Sequence, residues 1–179
     1  MSDNGVYLGN PNLKKANTPI EFTQEQVLEF LKCKDDPVYF ANNYIKIVSL
    51  DEGLTQFHPY HFQEKLINNF HENRFNICKM PRQTGKSTTV VSYLLHYAVF
   101  NDSVNIGILA NKAATARELL GRLQTAYENL PKWMQQGIIS WNKGSLELEN
   151  GSKILAASTS ASAVRGMSFN ILFLDEFAF

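Results

Sequence analysis

The 179 residues suffice for one globular domain with its own core, and 44% apolar with 19% charged residues is ordinary soluble-globular composition. Lys plus Arg equals Asp plus Glu at 17 each, so the bulk charge gives no support for nucleic-acid binding, and any DNA contact has to come from a local patch or from a missing part. The two cysteines, Cys33 and Cys78, match no metal spacing and fit a reducing compartment; no secretory signal or membrane-length apolar run is present.

Residues 1–22, polar and rich in Asn, Pro and Lys, read as an irregular arm. Thr23 and Gln26 form a capping box that opens a helix running to about Cys33. Asp36-Pro37 is an N-cap and first-turn pair, and Phe40, Ala41, Tyr44, Ile45 and Val48 fall on one face of a second helix. Pro59 opens a third, with Phe62, Leu66 and Phe70 as its stripe. Residues 23–72 thus read as a helical subdomain.

From residue 73 the pattern becomes that of an α/β core, 73–179. The β-prone run FNICKM (75–80), with Cys78 as a buried core thiol, leads into PRQTGKST and then a helix that is apolar nearly all round. VNIGILA (104–110) is a second strand. Asn111 caps a helix with Leu119, Leu120, Leu123 and Tyr127 on its stripe; its Lys112, Arg117 and Arg122 could touch DNA but read better as a solvated face. SLELENGSKILAAS alternates around Asn150-Gly151, a hairpin signal. ILFLDE is a third buried strand, ending in Asp175 and Glu176. Strands alternating with helices imply an α/β sheet with right-handed crossovers; joined to the phosphate-loop motif that follows, they read as a P-loop NTPase with a mostly parallel central sheet flanked by helices.

The chemistry concentrates in two places. In MPRQTGKST a strand feeds a tight turn at a helix start, where unpaired backbone N–H groups and the helix dipole favour an anion. Gln83, Thr84 and Gly85 form the turn, and Gly85 allows close backbone approach to a phosphate. Lys86 can reach β- and γ-phosphates, Ser87 offers a hydroxyl to Mg²⁺, and Thr88 is placed for the α-phosphate. The first Gly of the Walker A pattern is Met80 here, so the loop is a variant, and a chance GKS at a helix start is the bland alternative. Arg82 can stabilise charge developing on the γ-phosphate. At the other place, Asp175 can hold the Mg²⁺ shell and Glu176 can orient or deprotonate the attacking water. Apolar strands also end in exposed acids at ordinary turns. Gln63 could pair an adenine through its amide. Arg165, ahead of the last strand, could contact nucleotide or a neighbouring subunit. His96 reads as structural.

PRQTGKST, ILANKAATARELL, WNKGSLELENGSKI and SASAVRGMSFNILFLDEFAF together resemble the large terminase subunit of tailed bacteriophages, of the myovirus type, as does YLGNPNLKKAN…LKCKDDPVYFANNYIKI. The resemblance implies an ATP- and Mg²⁺-dependent motor that packs double-stranded DNA into capsids through a portal protein. It also implies a small terminase subunit as partner, homo-oligomer formation, no membrane, and action in the cytoplasm of an infected bacterial host and transiently at the procapsid portal. Lys86 and Ser87 match its Walker A positions, Arg82 its finger-like arginine, Asp175 and Glu176 its Walker B Asp and catalytic Glu. Gln63 matches a glutamine of its adenine motif, and His58 stands where a second is expected. Family members continue into further strands and a nuclease domain, so the chain reads as C-terminally truncated and no nuclease activity is inferred. Another P-loop translocase such as a helicase, or an inactive nucleotide-binding fragment, are the rival readings.

Overall fold

A computed structural model describes residues 5–49, 51–160 and 166–176. Its element order is β1 (Val6–Tyr7), β2 (Asn10–Lys14), α1 (Gln24–Asp35), α2 (Pro37–Tyr44), β3 (Lys46–Ser49), β4 (Gly53–Gln56), α3 (His61–Glu72), α4 (Lys86–Phe100), β5 (Asn105–Ala110), α5 (Ala113–Glu128), β6 (Ile138–Trp141), β7 (Ser145–Leu148), β8 (Lys153–Ser158) and β9 (Ile171–Asp175). The fold is mixed α/β. No helix among the described residues is long and apolar enough to cross a membrane.

Five strands form the central sheet in the order β6-β7-β8-β5-β9. β5 runs parallel to both β8 and β9, whereas β6-β7 and β7-β8 are antiparallel. The sheet is therefore mixed, not mostly parallel. The cause is local: a turn over 149–151, closed by Gly151 N–H to Leu148 C=O at 3.0 Å and with Gly151 at φ 80, folds β7 straight back onto β8. β6, unforeseen in the sequence, extends the antiparallel side. β5 is buried along nearly its whole length, as a strand flanked by two others must be. β9 is only partly buried, with Leu172 half exposed, because β5 is its one neighbour in the sheet order.

The expected strand at 75–80 does not form. These residues carry no regular structure and pair with nothing in the sheet, and Phe75 and Ile77 are exposed. A cavity of about 800 Å³ lies between this segment and β9, over α4 residues Val90, Tyr93, Leu94 and Tyr97. β-propensity yields a strand only where a neighbour supplies the ladder, and here none is in reach. Cys78 accordingly lines that cavity, half-buried, instead of joining the core.

Two hairpins replace expected irregular or helical chain. The N-terminal arm contains β1-β2, turned at Leu8 and Gly9, both at positive φ. It is fixed to the body because Gln135 accepts from Lys14 N–H at 3.0 Å and donates to Asn12 C=O at 3.0 Å, while Lys14 pairs with Glu149 at 2.8 Å. The second helix stops at Tyr44, and Lys46–Ser49 becomes β3, paired with β4 around Gly53 at φ 70. Ile45, Ile47 and Val48 are β-branched, and pairing with β4 outweighs the helical spacing read across them.

α4 is buried on all sides between α2, α3 and α5. Tyr93 Oη donates to Phe70 C=O at 3.1 Å, which ties α4 to α3. His96 lies in an aromatic cluster, its ring 4.9 Å from Phe100 and 5.5 Å from Phe40 between centroids. Its Nε2 donates to Cys33 C=O at 2.8 Å and bolts α4 to α1, while the buried Nδ1 has no partner. α5 packs on β5 and β8.

Candidate phosphate and metal site

The register of the parallel strands brings three strand tips into one row. Ala110 of β5 lies opposite Ser158 of β8 on one side and Asp175 of β9 on the other. The strand order reverses about β5, and ligands of open α/β sheets bind outside the carboxyl ends of strands at such a point.

The turn at 81–85 is shaped by two left-handed residues, Gln83 at φ 60 and Gly85 at φ 72, the second being the N-cap of α4. Thr84 Oγ1 donates to Pro81 C=O at 3.0 Å and closes the turn from within. Thr89, one turn into α4, bonds Gly85 C=O through both its N–H and its hydroxyl, each at 3.0 Å. The first N–H groups of α4 are thereby left facing outward with the positive end of the helix dipole, the arrangement that receives anions. Lys86, Ser87 and Thr88 are half-buried in its first turn, and Arg82 and Gln83 are exposed.

Lys86, Asp175 and Glu176 line the same 800 Å³ cavity. Asp175 is 9% exposed. Burial pushes its carboxyl above the usual carboxylate range; Lys86 pulls it down, and neighbouring Glu176 pushes it up. The Lys86 ammonium is thus close enough to be felt by the acid at the strand tip. Burial also raises the Cys78 thiol, with Lys86 again acting to lower it. Glu176 is exposed and has φ 48, a conformation costing a non-glycine residue on the order of 1 kcal/mol or more. That backbone sets Glu176 off the strand direction at the tip, beside Asp175.

A second cavity of about 200 Å³ adjoins the acids and is lined by Ala110, Asn111, Lys112, Thr115, Asp175 and Glu176. Asn111 does not cap α5 as its sequence position suggests; Lys112 occupies the N-cap without a side-chain cap bond. Asn111 and Thr115, which no sequence motif singles out, line this cavity with Lys112 beside the two acids. The signal was available: Asn111 and Lys112 follow β5 at the same sheet edge where Asp175 ends β9.

Gln63 is 2% exposed, and its amide is engaged inside the protein. Oε1 accepts from Tyr60 N–H at 2.8 Å, and Nε2 donates to Thr84 C=O at 3.3 Å. His58 is turned to Asn42, 2.9 Å from its Oδ1. Arg165 lies outside the described residues. Among the described residues no cluster of three or more His, Cys, Asp or Glu could hold a metal, so any cation here is held by a sparser set.

The family model for the N-terminal part of the terminase large subunit, T4-like virus type, matches residues 77–179. The chain belongs to the large terminase subunit family. The crystal structure of the large terminase of HK97 bacteriophage is similar in fold, with a TM-score of 0.64 at 17% sequence identity. The match covers 79% of this terminase chain and 30% of that one, so this chain spans less than a third of the solved terminase. The family match takes in the turn at 81–85, β5 and both acids of the β9 tip.

Proposed function

We propose that this terminase chain binds ATP·Mg²⁺ at the row of strand tips and hydrolyses it, as the motor part of a machine that moves double-stranded DNA into a capsid. The observation that supports this most is one juxtaposition: Lys86 at the start of α4 and Asp175–Glu176 at the tip of β9 line a single cavity. On this reading the P-loop segment is Pro81–Thr88. The N–H groups of Gly85 to Thr88 and the Lys86 ammonium hold the β- and γ-phosphates, and Thr88 lies toward the α-phosphate. Gln83 and Thr84 shape the turn, and exposed Arg82 is free to swing onto the γ-phosphate.

The residues fit a Mg²⁺ ion. Ser87 brings a hydroxyl and Asp175 a carboxylate whose charge burial disfavours, a cost that a bound dication offsets. When bound, Mg²⁺ neutralises charge on the phosphate oxygens. Glu176, exposed beside Asp175, orients a water in line with the γ-phosphorus and takes its proton. The water oxygen bonds to the γ-phosphorus as the bond from that phosphorus to the β–γ bridging oxygen breaks, leaving ADP and phosphate. Portal protein, small terminase subunit and further copies of the chain are the partners proposed on family grounds, in the cytoplasm of the infected host.

Lys86→Ala tests the site. The wild-type chain should gain thermal stability with Mg·ATP, and the variant should gain none. Equal stabilisation of the two proteins would refute the assignment.

A further inference from the structure

We propose that the surface formed by Gln135, Gly137, Ile138 and Glu149 is a binding site for an extended peptide. Its occupant is the arm at residues 10–17, seated here from the same chain and exchangeable with the arm of a second copy. The triphosphate reading leaves this stretch unused, although YLGNPNLKKAN stands out in the sequence.

The arm is held mainly through its backbone. Ala16 N–H donates to Ile138 C=O at 3.2 Å, and Lys15 pairs in parallel with Ile138. β6 has β7 as its one neighbour in the sheet order, so the arm adds to the side of β6 left open. Gln135, 3% exposed, accepts from Lys14 N–H and donates to Asn12 C=O, each at 3.0 Å. Glu149 accepts from Asn17 N–H at 2.9 Å. Two side chains add selectivity: Leu13 is buried, and the Lys14 ammonium lies 2.8 Å from Glu149 Oε1. The receiving surface is shaped for the chain it holds. A Cβ built on Gly137 would lie 2.5 Å from Ala16 Cα, so the glycine keeps the path of the arm clear. The ligand class is thus an extended peptide with an apolar residue followed by a cation. Main-chain bonds supply most of the hold, as in strand addition.

The arm is also a unit of its own. β1 pairs with β2, and Lys15 N–H closes back on Gly5 C=O at 2.9 Å. Its bonds to the body reach Glu128, Gln135, Ile138 and Glu149, more than a hundred residues on. Between the arm and α1, residues 18–23 carry no regular structure. The arm of a second copy makes the same bonds on the same surface. Exchange therefore loses none of them, and concentration sets its extent.

The test uses the full chain with Cys78→Ser, which leaves buried Cys33 as its one thiol. Asn10→Cys is placed in one protein and Glu128→Cys in another, because these side chains meet at 3.2 Å when the arm is seated. The two proteins are mixed, equilibrated and treated with a short bismaleimide. A chain carrying both cysteines should link within itself. The mixed chains should give a covalent heterodimer, and tenfold dilution before linking should lower its yield about tenfold. Glu149→Gln drops the ion pair with Lys14 and should make the heterodimer appear severalfold faster. Linkage within the double variant, with none between mixed chains at any concentration, would confine the arm to its own body and overturn exchange. A double variant that does not link would overturn the seat itself. Leu172→Lys alters the β9 edge and should leave the yield unchanged; a yield lost with it would put the contact at β9 and sink the proposal. Should a cysteine variant not fold, uptake of a labelled synthetic peptide of residues 5–18 by the unaltered chain decides the same point.

Discussion

Acidification strains α4, the helix that follows the turn at 81–85, and it does so through His96. Burial, with a smaller contribution from His71, lowers this imidazole to about 4, while the bond to Cys33 C=O acts in the opposite direction. With Nε2–H given to Cys33, the proton would have to land on Nδ1, which is buried without a partner. The unfolded chain takes up that proton near pH 6.5 and the folded chain does not until about 4. Stability is therefore full above the unfolded value and falls as pH drops from there toward the folded one. A separation of about 2.5 units corresponds to about 3 kcal/mol in all, of which about 2 kcal/mol is lost between pH 7 and pH 5. For a domain of this size that is a Tm drop of roughly 4–8 °C. Asp175 acts the other way, because its raised carboxyl makes the folded state gain stability as pH falls through its folded value. The informative quantity is thus the difference between wild type and His96→Gln, followed by circular dichroism on heating at pH 7, 6 and 5. Wild type should lose the extra degrees and the variant should not. Parallel pH profiles for the two proteins would refute the reasoning.

Leu120 is fully buried on α5, which packs on β5 and β8, so Leu120→Ala should cost about 3 kcal/mol in urea unfolding without nucleotide. Glu176→Gln removes the proposed proton acceptor but leaves Lys86 and Asp175 in place. It should keep nucleotide-dependent stabilisation while phosphate release falls on the order of 10²–10⁴-fold. β9 has one partner in the sheet order and a half-exposed Leu172, so the chain should self-associate with concentration in light scattering, and Leu172→Lys should suppress it.

Much of the fold was legible because local signals and tertiary demands agree. The Thr23–Gln26 box caps α1 as written, with Gln26 N–H to Thr23 Oγ1 at 3.2 Å and Thr23 N–H to Gln26 Oε1 at 3.1 Å. Asp36 caps α2, accepting from Tyr39 N–H at 2.8 Å. The unbroken apolar runs of β5 and α4 matched their burial. The failures came where pairing overrides pattern. FNICKM has strand composition but no neighbour, and Ile45–Val48 has helical spacing but a hairpin partner. Met1–Phe22 reads as polar, yet its hairpin is held by Gln135, more than a hundred residues away, and no local pattern announces such a contact. At the candidate site, Lys86 and Asp175 were readable because each sits at the end of a regular element. Asn111 and Thr115 were not, since their relevance appears only once β5 and β9 are in register. Gln63 stood out in the sequence as an adenine contact, but the sequence could not show which groups its amide meets.

The most direct measurement uses the Mn²⁺ complex of a non-hydrolysable ATP analogue and paramagnetic broadening of backbone amide resonances. If the phosphate loop and the β9 tip form one triphosphate and metal site, amides of residues 83–88 and of 175–176 should broaden together, at the same analogue concentration, and excess Mg²⁺ should reverse both. Broadening at the loop while residues 175–176 stay sharp would put the metal elsewhere and contradict the account.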